Sequence, residues 1–224
     1  MISISGLVKG MKMIVQCDFD GTITEEDQSF LLLDSFANGD WKQLLKDYRE
    51  SKISVNYLNT KAFAMIKEDR QTLIDFVRSK VKIRDGFDEL LACCHRNGFE
   101  FVIVSNGLDF YIRAILREMR VGNIKVFAAQ TRFTSKGIEA KYIGPDGGQL
   151  ESDFKEAYVN SFRRTGHRII YVGDGLSDIH PAKQAYRIFA RGELLSYCSE
   201  ANLDCTPFVS LNDVVKGLEL LGWE

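Results

Sequence analysis

The sequence predicts an α/β fold in which a doubly wound parallel sheet is interrupted by an inserted α-helical segment. Three observations predict it. Four short apolar runs recur along the chain, and each ends on small, polar or charged residues. Helical spacing fills the intervals between them. One interval is too long for a single crossover and carries helical rather than strand periodicity.

The first run is Met13–Cys17, ending at Asp18, and reads as a buried parallel strand. The insert follows, roughly Gln28 to Ile83. Within it Trp41, Leu44, Leu45 and Tyr48 match the i, i+3, i+4, i+7 template, and Leu73, Phe76 and Val77 repeat its first three positions. Phe87, Leu90 and Leu91 begin a helix that stops near Asn97-Gly98. The second run, Phe101–Val104, ends at Ser105, and a helix is expected over Phe110–Met119. From Thr131 to Gln149 a hairpin or extended loop fits best, with Ser135-Lys136-Gly137 as its turn and a second turn signal at Gly144–Gly148. A helix over Phe154–Phe162 leads to the third run, Arg168–Val172, which ends at Gly173-Asp174. The fourth run, Arg187–Ala190, ends before Arg191-Gly192, and Leu211–Leu221 reads as a docking helix. Strands alternating with helices give a Rossmann-like sheet covered on both faces. The expected division is a catalytic core at 11–27 and 84–224 with an α-helical cap at 28–83. Residues 1–10 are expected to form a flexible extension, with a short extra strand as the competing reading.

Composition narrows the function classes. Of 224 residues, 45% are hydrophobic and 27% charged, which excludes a disordered tail or a disulfide scaffold. The formal charge of -2 gives no support to a nucleic-acid or membrane-surface partner. Five cysteines include no CxxC pair, and the three histidines are badly spaced for zinc. Idle thiols in a reducing cytoplasm are therefore expected. No apolar run is long enough for a membrane helix, and the first fifteen residues lack the pattern of a signal peptide.

Polar residues gather just after three strand ends, the edge where open parallel sheets bind ligands. Asp18 and Asp20 lie two apart in Asp18-Phe19-Asp20-Gly21-Thr22. Ser105-Asn106-Gly107 follows the second run, and Asp174 and Asp178 follow the third. Four clustered carboxylates repel one another unless a cation joins them, and hard oxygen ligands favour Mg²⁺. Ser105, the amides of Asn106 and Gly107, Thr22 and Lys155 can then donate to phosphate oxygens. Such a group suits phosphoryl transfer: one carboxylate attacks phosphorus, and the other hands a proton to the leaving group.

These motifs, in this order, resemble the haloacid dehalogenase-like phosphohydrolases. The long insert after the first motif is similar to the helical cap of the phosphoserine-phosphatase-like subgroup. The resemblance implies Asp18 as nucleophile and Asp20 as general acid/base. It implies that Asp18, the backbone carbonyl of Asp20 and Asp174 hold Mg²⁺, that Asp178 supports that site, and that Ser105 and Lys155 bind the phosphoryl group. Gly21 would permit close backbone approach, and Thr22 would hold the loop. Further along, Ile179–Lys183, Phe189–Leu195, Tyr197–Leu203 and Thr206-Pro207-Phe208 resemble the methionine-salvage branch of the same family. That branch acts on 2-hydroxy-3-keto-5-methylthiopentenyl-1-phosphate, so this small phosphorylated metabolite is the first expected substrate and phosphoserine the second. Two departures stand out. Asn106 occupies a position usually held by glycine, and Asp27 stands where phosphoserine phosphatases carry Glu to read the substrate amine.

Several residues admit a plainer role. Ser105 can cap the following helix, Asp27 and Asp178 can cap theirs, and Lys136 and Lys141 rival Lys155. Arg191 can face the site or sit in a surface ion pair. A phosphotransferase or mutase shares the two Asp residues, and a non-catalytic binding protein is the remaining alternative.

Overall fold

The computed structural model describes residues 12–220, so the expectation for residues 1–10 lies outside the described residues. Among the described residues, seven strands form one sheet in the order β4-β3-β2-β1-β5-β6-β7. They are β1 (Lys12–Cys17), β2 (Glu100–Leu108), β3 (Lys125–Thr134), β4 (Gly137–Lys141), β5 (His167–Gly173), β6 (Arg187–Ala190) and β7 (Thr206–Pro207). All neighbours run parallel except β3 and β4, which pair antiparallel from Gln130↔Lys141 to Thr134↔Gly137. The fold class is the α/β architecture the sequence predicts.

Topology places the site. The chain lays down β1, then β2 and β3 outward on one side, and returns to build β5, β6 and β7 on the other. The order therefore switches direction at β1, with β2 on one flank and β5 on the other. Crevices at such switch points, beyond the strand C-termini, are where open α/β sheets bind ligands. β1 is buried over all but its first residue, as a central parallel strand must be. Its residues Lys12–Cys17 run in register with His167–Val172 of β5.

Four helices fill the insert: α1 (Gln28–Phe36), α2 (Trp41–Arg49), α3 (Val55–Phe63) and α4 (Arg70–Lys80). Each starts on a short polar side chain that accepts from the first turn: Asp27 from Phe30 N–H, Asp40 from Gln43, Ser54 from Tyr57, Asp69 from Gln71 and Thr72. Such caps satisfy N–H groups that have no partner inside the helix. Thr24 and Ile83 form one antiparallel bridge, so the insert leaves and rejoins the sheet at one place. Phe30 stacks near Trp41 with ring centroids 5.3 Å apart, and Phe36 meets Phe76 edge-on at 5.0 Å. These contacts join α1 to α2 and to α4.

The remaining helices cover the sheet: α5 (Phe87–Arg96), α6 (Asp109–Glu118), α7 (Phe154–Arg164), the short α8 (Ile179–Ala182), α9 (Gly192–Glu200) and α10 (Leu211–Leu220). α10 docks against α5 through Leu211, Val214 and Leu218, all fully buried. No helix among the described residues is long and apolar enough to cross a membrane.

The structure corrects the expected strand list in three places. The parallel half of β3, starting at Lys125, falls outside the expected strands; its antiparallel end pairs with β4 where the sequence favours a hairpin or extended loop. β7 also lies outside the expected list. The second strand does not end at Ser105 but runs on to Leu108, with a shift in its pairing to β3 between Val104 and Leu108. That irregularity places Ser105, Asn106 and Gly107 at the crevice while keeping them inside the sheet.

Candidate active site

Asp18 is the first residue beyond β1, and its N–H donates to Val172 O on β5 at 2.9 Å. The chain then turns sharply. The Phe19 carbonyl accepts from Ile23 N–H at 2.9 Å and Thr24 N–H at 3.0 Å. Gly21 has φ +75, and a Cβ there would lie 2.4 Å from Asp174 Oδ2, so only glycine fits. Two arginines clamp the turn from outside. Arg84, buried, donates from Nε to Thr22 O (2.8 Å) and from Nη2 to Gly21 O (2.9 Å) and Thr24 O (3.1 Å). Arg191 donates to the same Gly21 carbonyl at 2.6 Å, so it faces the site loop.

Lys155, in the first turn of α7, reaches the turn from the next element. It is 2% exposed, and its Nζ lies 2.7 Å from both Asp18 Oδ2 and Asp178 Oδ1. Ser177 Oγ accepts from it at 3.1 Å. Gln16 on β1 donates to the Lys155 carbonyl at 3.1 Å, which fixes the start of α7 against the sheet. Lys155, rather than Lys136 or Lys141, is the lysine at the strand edge.

Asp178 is fully buried and saturated. Oδ1 accepts from Lys155 Nζ and Tyr171 Oη, and Oδ2 accepts from the N–H groups of Asp174 and Gly175. It holds the loop after β5 rather than capping α8, to which its side chain makes no cap bond. Asp174 Oδ1 accepts from Thr22 Oγ1 at 2.7 Å. Thr22 is therefore not where a phosphate-binding role expects it: it is fully buried, does not line the cavity, and spends its hydroxyl on Asp174.

A cavity of about 200 Å³ opens over these groups. Asp18, Asp20, Asp27, Ser105, Asn106, Gly107, Lys155 and Asp174 line its sheet side, and Phe30, Leu45, Tyr48, Arg49, Val55 and Leu58 of the insert line the other. Ser105 does not cap α6, since Leu108 holds that position; its Oγ accepts from Gly107 N–H at 3.0 Å. The Asn106 side chain donates to Asn56 Oδ1 (3.1 Å), and its carbonyl accepts from Asn59 Nδ2 (2.8 Å) and Tyr142 Oη (2.6 Å). The residue that departs from glycine is thus tied to α3 of the insert. Asp27 caps α1 and also borders the cavity.

Burial raises the Asp18 carboxyl well above its usual range; Lys155 pulls it back, and Asp178 and Asp174 push it up again. Asp20 is raised by burial and by Asp27, against a hydrogen bond from Tyr111. Asp174 and Asp27 are each pushed up to about 6, chiefly by burial. Burial opposes the Lys155 ammonium, but Asp178 and Asp18 outweigh it and hold Lys155 charged. The Lys155 ammonium therefore sits among carboxylates that resist full ionisation together. Oxygens of Asp18, Asp174 and Asp178 lie within 4.8 Å of one another.

Three groups here were not anticipated from the sequence: Arg84, Tyr111 and the Asn59–Tyr142 pair. Arg84 stands just past the insert with no motif around it, yet it organises the turn that carries both aspartates. Replacing it with Met strands several buried carbonyls, so urea unfolding should show a loss of about 3 kcal/mol, with Lys recovering less than half.

A site of this kind at the switch point of this sheet defines a known class. The chain belongs to the haloacid dehalogenase-like hydrolase family, whose profile matches residues 15–183. Within that family it is a phosphatase, similar along nearly its whole length to curated relatives. The 2-hydroxy-3-keto-5-methylthiopentenyl-1-phosphate phosphatase of Exiguobacterium sibiricum is 30% identical over 214 residues, covering 93% of this chain and 97% of the relative. That of Geobacillus thermodenitrificans is 29% identical, covering 94% and 97%. Among solved structures, a phosphoserine phosphatase in its phospho-aspartyl intermediate analogue form superposes with TM-score 0.69 at 17% identity, over 92% of this chain and 98% of that one. A phosphoserine phosphatase from T. onnurineus gives 0.67 at 18%, over 95% and 96%. At those identities the structural likeness concerns the fold.

Proposed function

We propose that the protein is a Mg²⁺-dependent phosphomonoesterase working through a phosphorylated Asp18, with 11–27 and 84–224 as its catalytic core and 28–83 as the cap. One observation carries this reading: Asp18 and Asp174 meet at the switch between β1 and β5, with the buried Lys155 ammonium on Asp18 and Ser105–Gly107 bordering the same cavity.

The donor set fits a hard divalent cation, because clustered carboxylate oxygens suit Mg²⁺. Asp18, the Asp20 carbonyl and Asp174 would hold it, with Asp178 in support, since four donors already occupy the oxygens of Asp178. Held there, Mg²⁺ would neutralise carboxylate charge and polarise phosphoryl oxygens. Asp18 attacks phosphorus while Asp20 protonates the leaving oxygen; Asp20 then takes a proton from the water that releases phosphate. Lys155, Ser105 and the amides of Asn106 and Gly107 bind the phosphoryl oxygens. Thr22 orients Asp174 in place of touching phosphate.

The relatives and the insert wall support a methylthio-bearing substrate. Phe30, Leu45, Val55 and Leu58 offer an apolar surface opposite the carboxylates, suited to the tail of 2-hydroxy-3-keto-5-methylthiopentenyl-1-phosphate. Phosphoserine is the second reading, because Asp27 borders the cavity and can accept from an amine. Phosphate release from both compounds and from p-nitrophenyl phosphate, read as kcat/KM, tests this. The methylthio compound is expected to lead. A lead for phosphoserine moves the assignment to the second reading, and no preference over the aryl ester defeats both.

A further inference from the structure

The carboxyl assigned to proton transfer is gripped by a residue that none of the motifs contains. Tyr111 lies on α6, fully buried, and its hydroxyl donates to Asp20 Oδ2. A phenol has one hydrogen, so in the 2.8 Å contact between Tyr111 Oη and Ser29 Oγ the serine is the donor. Asp20 Oδ1 accepts from Gln28 N–H at 3.2 Å. Asp20 is thus held through both oxygens, by α6 on one side and the start of α1 on the other. The third wall is Gly107. A Cβ there would fall 2.1 Å from the Tyr111 hydroxyl and 2.3 Å from Asp20 Oδ2. The backbone after Ser105 closes directly over the Tyr111–Asp20 contact, and only glycine leaves room for it.

We propose that Tyr111 is a positioning residue that aims Asp20 at the leaving-group oxygen, with Ser29 orienting the Tyr111 hydroxyl. The inference rests on the reading of Asp20 as general acid. In that step the bond from phosphorus to the leaving oxygen breaks as the bond to Asp18 forms. The leaving oxygen takes the Asp20 proton, and Asp20 is left as a carboxylate. Tyr111 keeps its own proton throughout. What it supplies is direction: the carboxyl plane cannot turn about its last side-chain bond without breaking a buried hydrogen bond. A tyrosine present for packing alone needs no hydroxyl here. Its ring meets Phe110 edge-on, with centroids 5.5 Å apart, a contact phenylalanine would keep.

The test compares wild type, Tyr111→Phe and Asp20→Asn on para-substituted phenyl phosphates running from nitro to methoxy. The readout is kcat/KM, which covers the steps through P–O cleavage. Nitrophenolate leaves readily without a proton, whereas the methoxy leaving group depends on one. Tyr111→Phe is expected to lose about ten-fold at the methoxy end and less than about three-fold at the nitro end. Its thermal midpoint should fall by only a few degrees, because Asp20 Oδ2 and the Ser29 hydroxyl each lose one buried partner, and Asp20→Asn should steepen the series further. A uniform loss or none for Tyr111→Phe, beside a steep Asp20→Asn series, makes Tyr111 a packing residue and overturns the proposal. An Asp20→Asn series parallel to wild type overturns the reading of Asp20 itself, and the Tyr111 proposal with it.

Discussion

Asp18→Asn is expected to lower turnover on the order of 10⁴-fold or more while the protein stays folded. The amide is nearly isosteric but a poor nucleophile, so the covalent step is lost. The stability half of the expectation is less obvious, because the substitution removes one arm of the buried Lys155 pair. The direction of the Asp18 shift decides it. Burial, Asp178 and Asp174 together raise the Asp18 carboxyl in spite of Lys155. The charged form is therefore a net cost to the metal-free fold, and Lys155 keeps Asp178 as its second partner. The metal-free variant should unfold at or above the wild-type temperature. Mg²⁺ should reverse the order. A ligand at a hundred times its Kd adds about 2.7 kcal/mol to the native state, and wild type, with its full set of carboxylates, should gain more than Asp18→Asn. A variant that is destabilised without metal, or that gains as much from Mg²⁺, would contradict this electrostatic account.

The contrast between Asp18 and its neighbours shows what could be read from the sequence. Asp18, Asp20, Asp174 and Lys155 were legible because each sits beside an apolar strand or at a helix start, and chemistry gives few uses to such clusters. The central strands were legible for the same reason: buried parallel strands are unbroken apolar runs. The parallel half of β3 was not, since Val126-Phe127-Ala128-Ala129 is short, ends on two alanines, and half of its strand pairs outside the parallel array. α1 and α3 lacked a clean helical pattern because they bury polar residues on purpose. The Ser29 hydroxyl bonds Tyr111, the Gln28 side chain turns back to the Glu26 carbonyl, and Asn56 and Asn59 bind Asn106. Local rules fail where a site needs them to fail. Arg84 was illegible for a different reason: its partners are backbone carbonyls, whose direction depends on the folded turn and leaves no trace in residue types.

Lys155→Met should damage both the fold and the chemistry, and the two effects can be separated. The ammonium is the cation within hydrogen-bond reach of Asp18 and Asp178, and both carboxylates are at least nine-tenths buried. Removing one partner of a buried ion pair leaves uncompensated charge and typically costs about 3–5 kcal/mol. For a chain of this size the thermal midpoint should fall by roughly 10 °C. Turnover should fall by about 10²–10³-fold or more, because a donor to the transferring phosphoryl group is also lost. The cost should depend on pH with a definite sign. Without Lys155, the Asp18 carboxyl loses the charge that restrains its upward shift. A carboxyl raised in the folded state binds more protons folded than unfolded, so stability is lost as pH rises. The gap between Lys155→Met and wild type should therefore be wider at pH 8 than at pH 5. Asp18→Asn removes one of the stranded charges, so it should gain more stability in the Lys155→Met background than in wild type, while the double variant stays no more active than Lys155→Met. A strictly additive double variant would mean that Lys155 acts through packing rather than through charge.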